Sequence, residues 1–224
     1  MQHSVFISKN LDEAVALQAL CKQFQWNLHA QSMIQFESTS FNVPTGWEVL
    51  FFPSPRAVSF FFEQQKSATL SGKLLACAGG ETAKKINTYT DQAIDFVAEN
   101  AGDTEKVRFD FQKWLGKKKV LYAGSNLAQK SVLLNLPPEQ GQFIQVYQTR
   151  FQPKPIPPCT IFIFSSPSNV DSFFMENDLT ASSHLIAWGK TTARSLEKRD
   201  IKVDYTLNSS SETEIIAYLS RLNQ

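Results

Sequence analysis

No apolar run in this 224-residue chain approaches the roughly 20 residues that a membrane-spanning helix needs. No membrane partner is therefore expected. The opening MQHSVFISKN carries no basic stretch followed by an apolar block, so no secretory signal is read there and a cytoplasmic location is expected. Cysteine is scarce: Cys21, Cys77 and Cys159 are far apart, odd in number and form no CxxC or metal spacing, as expected of free, mostly buried thiols in a reducing compartment. His3, His29 and His184 make no metal pair. No GxGxxG follows any strand, so the AGG at Ala78 is not a dinucleotide fingerprint, and spacing supports no Ser-His-Asp or Cys-His arrangement. The 22 basic residues are almost cancelled by 21 acidic ones, which argues against nucleic acid as a partner. The run Lys117–Lys119 precedes a strand and reads as a solvated edge.

Hydrophobic residues are plentiful at 42%, with 19% charged, enough for packed cores in one large domain or two small ones. Strands are expected at 4–8, 49–52, 74–78, 120–123, 143–150, 160–164 and 185–188. A first helix is expected over 11–26, capped by Asn10, with Leu11, Val15, Leu17, Leu20 and Phe24 on or near one face. Further helices are expected at 57–65, from 82, 109–115, 127–136, 170–174, 191–198 and 212–222. Residues 93–99 read as a short strand and helix, and 31–41 as an extended connector. The proline-dense QPKPIPP, with Pro153, Pro155, Pro157 and Pro158, reads as a stiff linker. Short apolar strands alternating with helices predict an α/β fold with parallel sheets covered on both faces. Such sheets bind ligands at the carboxyl ends of their strands.

Two stretches recur. FFPSPRAVSFFF aligns with FIFSSPSNVDSFF so that Ser54 meets Ser166, Pro55 meets Pro167 and Val58 meets Val170. LLACAGGETAKKI aligns with HLIAWGKTTARSL so that Gly79 meets Gly189 and Thr82 meets Thr192. The two offsets nearly agree, which points to two related α/β domains rather than a solenoid. In the first stretch a serine caps a helix and proline takes the first helical position, where its missing donor costs nothing. The first helical amides are left without intrahelical partners, a natural seat for an anion. In the second, Gly79 or Gly189 is expected to permit a tight turn, with the threonine at the helix start. The phenylalanines that follow are expected to face the core.

Taken in order, FPSPRAV, AGGETAKK, VLYAGSNLAQKSVLLNL, VYQT, FSSPSNV and WGKTTARSL resemble the uroporphyrinogen-III synthase family over nearly the whole chain after the first helix. The resemblance implies two flavodoxin-like domains with parallel sheets, joined by a two-stranded β ribbon. One domain would be discontinuous, 1–30 plus 153–224, the other would cover 42–141, and 31–41 with 142–152 would form the ribbon. It implies cyclisation of hydroxymethylbilane to uroporphyrinogen III, with ring D inverted through a spirocyclic intermediate, by a cofactor-free carbon–oxygen lyase of heme biosynthesis. The substrate is a polycarboxylate, so amide-rich turns would hold it without a basic excess. Tyr147, in VYQT, matches the family's tyrosine beside the cleft, where a phenol can act as general acid. Ser54, Gly79, Thr82, Ser166, Gly189, Thr191 and Thr192 match positions that would hold acetate or propionate groups. A monomer in transient contact with the upstream deaminase is implied. Where the family often has a basic pair, this chain has Ala128 and Gln129 followed by Lys130, so no direct carboxylate contact is expected from that helix.

Two other readings stay open on the residues alone. One is a non-catalytic two-lobed protein that captures an anionic metabolite with the same turns. The other is a degenerate synthase homologue with an accessory role, which the short chain and missing basic pair would fit.

Overall fold

The computed structural model describes residues 3–65, 70–99, 103–180, 182–208 and 211–222. Its contacts divide the chain into unit 1, Met1–Gln35 with Arg150–Gln224, and unit 2, Phe36–Thr149. No described helix is long and apolar enough to cross a membrane.

Unit 1 begins with β1 (Ser4–Ile7), α1 (Val15–Gln23) and β2 (Asn27–Ala30). Strand β3 (Ile34–Ser38) carries the chain into unit 2, which adds β4 (Val49–Phe52), α2 (Pro55–Gln64), β5 (Leu74–Cys77), α3 (Gly80–Ile86), β6 (Phe96–Val97), α4 (Thr104–Leu115) and β7 (Val120–Ser125). The long β8 (Gly141–Phe151) leads back to unit 1 and to β9 (Ile161–Phe164), α5 (Pro167–Phe173), β10 (His184–Ala187), α6 (Lys190–Glu197), β11 (Tyr205–Thr206) and α7 (Glu212–Leu222). The unit 1 sheet runs β11-β10-β9-β1-β2, the unit 2 sheet β3-β8-β7-β4-β5-β6. All pairings within β2-β1-β9-β10-β11 and β8-β7-β4-β5-β6 are parallel.

Superposing the two sequence repeats places β9 on β4, β10 on β5 and β11 on β6. The remaining strands then match as well: β1 falls on β7 and β2 on β8. The five-stranded cores share one spatial order, and unit 1 is a circular permutation of unit 2. Its first strand, β1, corresponds to β7, the fourth strand of the unit 2 core in chain order. The expected parallel α/β fold is thus present in both units.

Alternation of side chains along each strand supplies both faces of the sheets. In unit 1, Val5, Ile7, Ile161, Ile163 and Ile186 pack under α1 and α7 through Leu17, Leu20, Ile215 and Leu219. Phe6, Phe162, Phe164, Leu185 and Ala187 pack under α5 and α6 through Val170, Phe173, Ala193 and Leu196. Unit 2 repeats this: Leu50, Phe52, Leu75 and Cys77 face α2 and α3, while Val49, Phe51, Ala76 and Val120 face α4. Each large side chain buried this way contributes about 1.5–3 kcal/mol.

Several expectations are corrected. The first helix is a 3-10 turn (Leu11–Glu13) followed by α1, and Leu11 and Val15 are exposed rather than part of the buried face. The carboxylate of Glu212, opening α7, accepts from Leu17 N at 2.9 Å and so caps α1 in place of Ala14, which has no side-chain acceptor. Residues 127–136 do not form a helix. Only Ser131–Leu133 make a 3-10 turn, because Lys130 and Asn135 take left-handed backbone with φ of 51° and 67° on either side. Residues 27–30, to which the sequence assigned no element, form β2; its short, partly exposed sequence gives little alternation to recognise.

Candidate functional site

Four of the singled-out residues lie on the carboxyl edge of the unit 2 sheet. Phe52 and Cys77 are partners across β4 and β5, so Ser54 and Gly79, each two residues further on, stand at the same level. Ser54 has extended backbone and its Oγ accepts from Ala57 N at 3.3 Å, capping α2 as expected. Having accepted, the hydroxyl still has a proton to donate outward. Gly79 caps α3 without any side-chain hydrogen bond. Its φ of 163° is ordinary extended backbone, so the expected tight turn is absent: the strand runs straight into the helix, and the missing side chain leaves the first amides uncovered. Thr82 is buried in the first turn of α3.

Tyr147 completes this edge. It pairs with Ser125 at the end of β7, and its ring stacks on Phe60 of α2 at 5.0 Å and meets Phe36 edge-on at 5.9 Å. The ring is buried, at 7% exposure, yet its hydroxyl is not among the described polar atoms sealed from solvent without a partner, which are Gln142 Oε1 and Ser172 Oγ. The outer face of Phe36 carries the Arg56 guanidinium at 3.5 Å from the ring centre. The phenylalanine run after Ser54 is thus only partly core: Phe61 is buried, whereas Phe60 fixes the tyrosine.

Unit 1 presents the same arrangement. Phe164 and Ala187 are partners, and Ser166 and Gly189 follow each by two residues. Ser166 repeats the backbone of Ser54 to within a degree, φ −161° and ψ 158° against −160° and 157°. Its Oγ accepts from Asn169 N at 3.3 Å and from Asn169 Nδ2 at 3.0 Å. Gly189, at φ 177°, is again extended and caps α6 without a side chain, which corrects the tight-turn expectation here too. Thr191 is half-buried and Thr192 buried in the first turn of α6.

The electrostatics distinguish these turns. The first turns of α2, α5 and α6 contain no acidic residue, and Arg56 and Lys190 occupy two of them. Cations there oppose the helix dipole, whereas α4 and α7 carry the usual carboxylates, Glu105 and Glu212 with Glu214. The α3 turn departs from this, since Glu81 sits in it and pairs with Lys84 at 2.7 Å. Lys130 lies over the ring of Phe143 at 3.8 Å.

Sequence reasoning missed the long-range role of two asparagines at these edges, reading Asn10 only as a helix cap. Asn126, just after β7, accepts from Thr149 N at 2.7 Å and donates to Thr149 O at 3.2 Å, fixing the strand that carries Tyr147. Asn10, in the turn after β1, accepts from Ser32 N at 3.3 Å. Their partners lie 23 and 22 residues away, which no local pattern reveals. No group of three His, Cys, Asp or Glu among the described residues could hold a metal ion. All three cysteines are free and buried, and burial pushes the Cys21 thiol up to about 11 and raises those of Cys77 and Cys159.

Comparison with known proteins adds to this geometry. The family model described as uroporphyrinogen-III synthase HemD matches residues 15–216. The uroporphyrinogen-III synthetase of Helicobacter pylori 26695 is similar with a TM-score of 0.66 at 19% identity, over 99% of this chain and all of that one. A mutant uroporphyrinogen III synthase of the extremely thermophilic bacterium Thermus thermophilus gives 0.66 at 12% identity, over 99% of this chain and 98% of that one. At these identities the likeness speaks to the fold. A comparison with curated proteins found no match.

Proposed function

This chain belongs to the uroporphyrinogen-III synthase HemD family, and we propose that it closes linear hydroxymethylbilane into uroporphyrinogen III with inversion of ring D. Family membership makes it an enzyme of tetrapyrrole biosynthesis acting on a tetrapyrrole substrate. The course of the reaction and the residues that guide it are our reading.

The observation that carries this reading is the repeated donor edge. In each unit a serine-capped helix and a glycine-capped helix open side by side at the carboxyl ends of adjacent strands. The substrate's acetate and propionate groups accept hydrogen bonds there from the hydroxyls of Ser54, Thr82, Ser166, Thr191 and Thr192 and from amides that Gly79 and Gly189 leave uncovered. The α2 and α6 turns, free of carboxylates, are the stronger seats, and the α3 turn with its Glu81 the weakest.

Tyr147 lends its hydroxyl proton to the departing hydroxyl of the substrate, which leaves as water and gives an electron-poor azafulvene. The substituted carbon of ring D attacks this centre and forms a spirocyclic pyrrolenine. The spirocycle fragments and recloses with ring D reversed, and the proton lost on rearomatisation returns to Tyr147. Unassisted closure proceeds without inversion, so the enzyme's main contribution is orientation. The clamping of Tyr147 by Phe60, Phe36 and the Asn126–Thr149 bonds serves that role. We place the enzyme in the cytoplasm as a monomer, receiving its substrate from the deaminase in a transient encounter.

The test is a coupled assay: porphobilinogen and a deaminase supply the substrate, and the oxidised products are resolved by isomer. The expected product is predominantly isomer III; isomer I alone would overturn the reading. Tyr147→Phe keeps both ring contacts, and its turnover is expected to fall by roughly tenfold to a hundredfold with isomer III retained. Unchanged turnover would remove the acid role while leaving the orientation role standing.

A further inference from the structure

The two donor edges are near copies, whereas a linear tetrapyrrole with one hydroxymethyl end is not symmetric. Something must tell one end from the other. One feature of the unit 1 edge is absent from the matching positions of unit 2, whose edge cation is instead Arg56 on the face of Phe36. The ammonium of Lys9, two residues beyond β1, lies 3.6 Å from the ring centre of Trp188, the residue after β10. Strand β9 lies between β1 and β10, so the Lys9 side chain reaches across the end of β9, where Ser165 and Ser166 stand. This is also where the strand order of unit 1 reverses, between β1 and β9, the position at which open α/β sheets take their ligands. By strand register, the matching positions in unit 2 are Gly124 for Lys9 and Ala78 for Trp188, with no cation and no ring.

We propose that Lys9, held on the indole face of Trp188, is a specificity-determining residue of unit 1 that takes one carboxylate of the tetrapyrrole and so fixes which end of the substrate this unit holds. This rests on the function proposed above. A lysine ammonium has three donors and no acceptor. An aromatic face attracts the charge and fixes its place. The Ser166 hydroxyl and the uncovered amides before Thr191 lie on the same edge, so a carboxylate seated there gains a charged partner beside neutral ones.

The test compares Lys9→Met, which keeps the stem and removes the charge, with Lys9→Arg, which restores it. With preformed hydroxymethylbilane, Lys9→Met is expected to raise KM by about tenfold with kcat within about twofold, and Lys9→Arg to recover most of the loss. Binding of uroporphyrin III, a stable polycarboxylate, followed by tryptophan fluorescence quenching, reads the same seat without chemistry and is expected to weaken in parallel. Thermal unfolding of each variant separates loss of binding from loss of fold. Wild-type KM and wild-type binding in Lys9→Met would overturn the proposal, and a lowered melting temperature with both unchanged would reduce Lys9 to a packing strut. Should wild type give only isomer I while Lys9→Met still weakens uroporphyrin binding, the cyclase reading falls and the carboxylate seat stands.

Discussion

The two units solve the same problem at their carboxyl edges with different adhesives. In unit 1 the crevice between β1 and β9 is stitched by hydrogen bonds: Ser165 N donates to Ser8 Oγ at 2.8 Å and Ser165 Oγ to Ser8 O at 2.7 Å. Buried Asn169 continues the stitching, accepting from Met33 N at 2.8 Å and donating to Ser165 and Ser166. In unit 2 the residues that match Ser8, Ser165 and Asn169 are Ala123, Pro53 and Ala57, which offer no side-chain hydrogen bonds. Aromatic packing replaces them, with Tyr122 stacked on Phe51 and Tyr147 held by Phe60 and Phe36. What the units share is therefore not the glue. They share the serine caps, the glycine caps and the buried threonines, the groups that a polycarboxylate would use.

The largest effect that probes this comparison comes from the cores. Phe164→Ala in unit 1 and Phe52→Ala in unit 2 remove matching, fully buried rings and are each expected to cost about 3–5 kcal/mol. Native-state hydrogen exchange should show each loss chiefly in the amides of its own unit; equal losses in both would mean that the chain unfolds as one body.

A side chain at Gly124, on the edge where aromatic packing stands in for the stitch, should not be accommodated. A Cβ at Gly124 would stand 2.6 Å from Cε1 of Tyr122 and 3.2 Å from Cβ of Ala128, so Gly124→Ser is expected to cost about 1–3 kcal/mol by denaturant unfolding. A neutral result would show that the aromatic packing yields more easily than described.

The asparagine clamps sharpen the comparison at smaller scale. Asn126→Ala breaks two bonds to Thr149 and is expected to cost about 2 kcal/mol and speed exchange of the Thr149 amide. Asn10→Ala, with one longer bond to Ser32, is expected to cost about half as much. The reverse order would contradict the view that unit 2 depends on its clamp to position Tyr147.

Smallest is the alkaline behaviour of the thiols, one in unit 2 and two in unit 1. Folding raises the Cys21 thiol from its ordinary 9.0 to about 11, so its contribution to stability is complete below the unfolded value and is lost as pH climbs through the folded one. Stability should therefore slip between about pH 9 and 11, and a thiol reagent at pH 8 should react slowly until denaturant is added. Rapid labelling of native protein would contradict this.

Much of the fold was legible because its signals are local. Ser54-Pro55 and Ser166-Pro167 announce helix starts through chemistry carried by adjacent residues, and both caps form. Strands such as 49–52 and 161–164 are short apolar runs and read as buried strands. Residues 127–136 misled because apolar spacing suggested a helix, while the backbone at Lys130 and Asn135 turns left-handed. The circular permutation escaped detection because a fixed offset relates only β9, β10 and β11 to their counterparts, whereas β1 and β2 match strands later in the chain. Another repeat was hidden by dissimilar neighbours: Asp95 and Asp204 each accept from the matching strand amide, Leu75 N and Leu185 N, at 2.8 Å. At the site, Tyr147 was named from resemblance, but the rings that hold it come from 36 and 60, positions that only folding brings near.

The most direct measurement is an amide nuclear magnetic resonance titration of the intact enzyme with uroporphyrinogen III under reducing, anaerobic conditions. Shifts are expected to concentrate in two separate sets, the turns at 54–57 and 79–82 and those at 166–169 and 189–192. Shifts confined to one set, or spread over other surfaces while both sets stay still, would contradict that expectation.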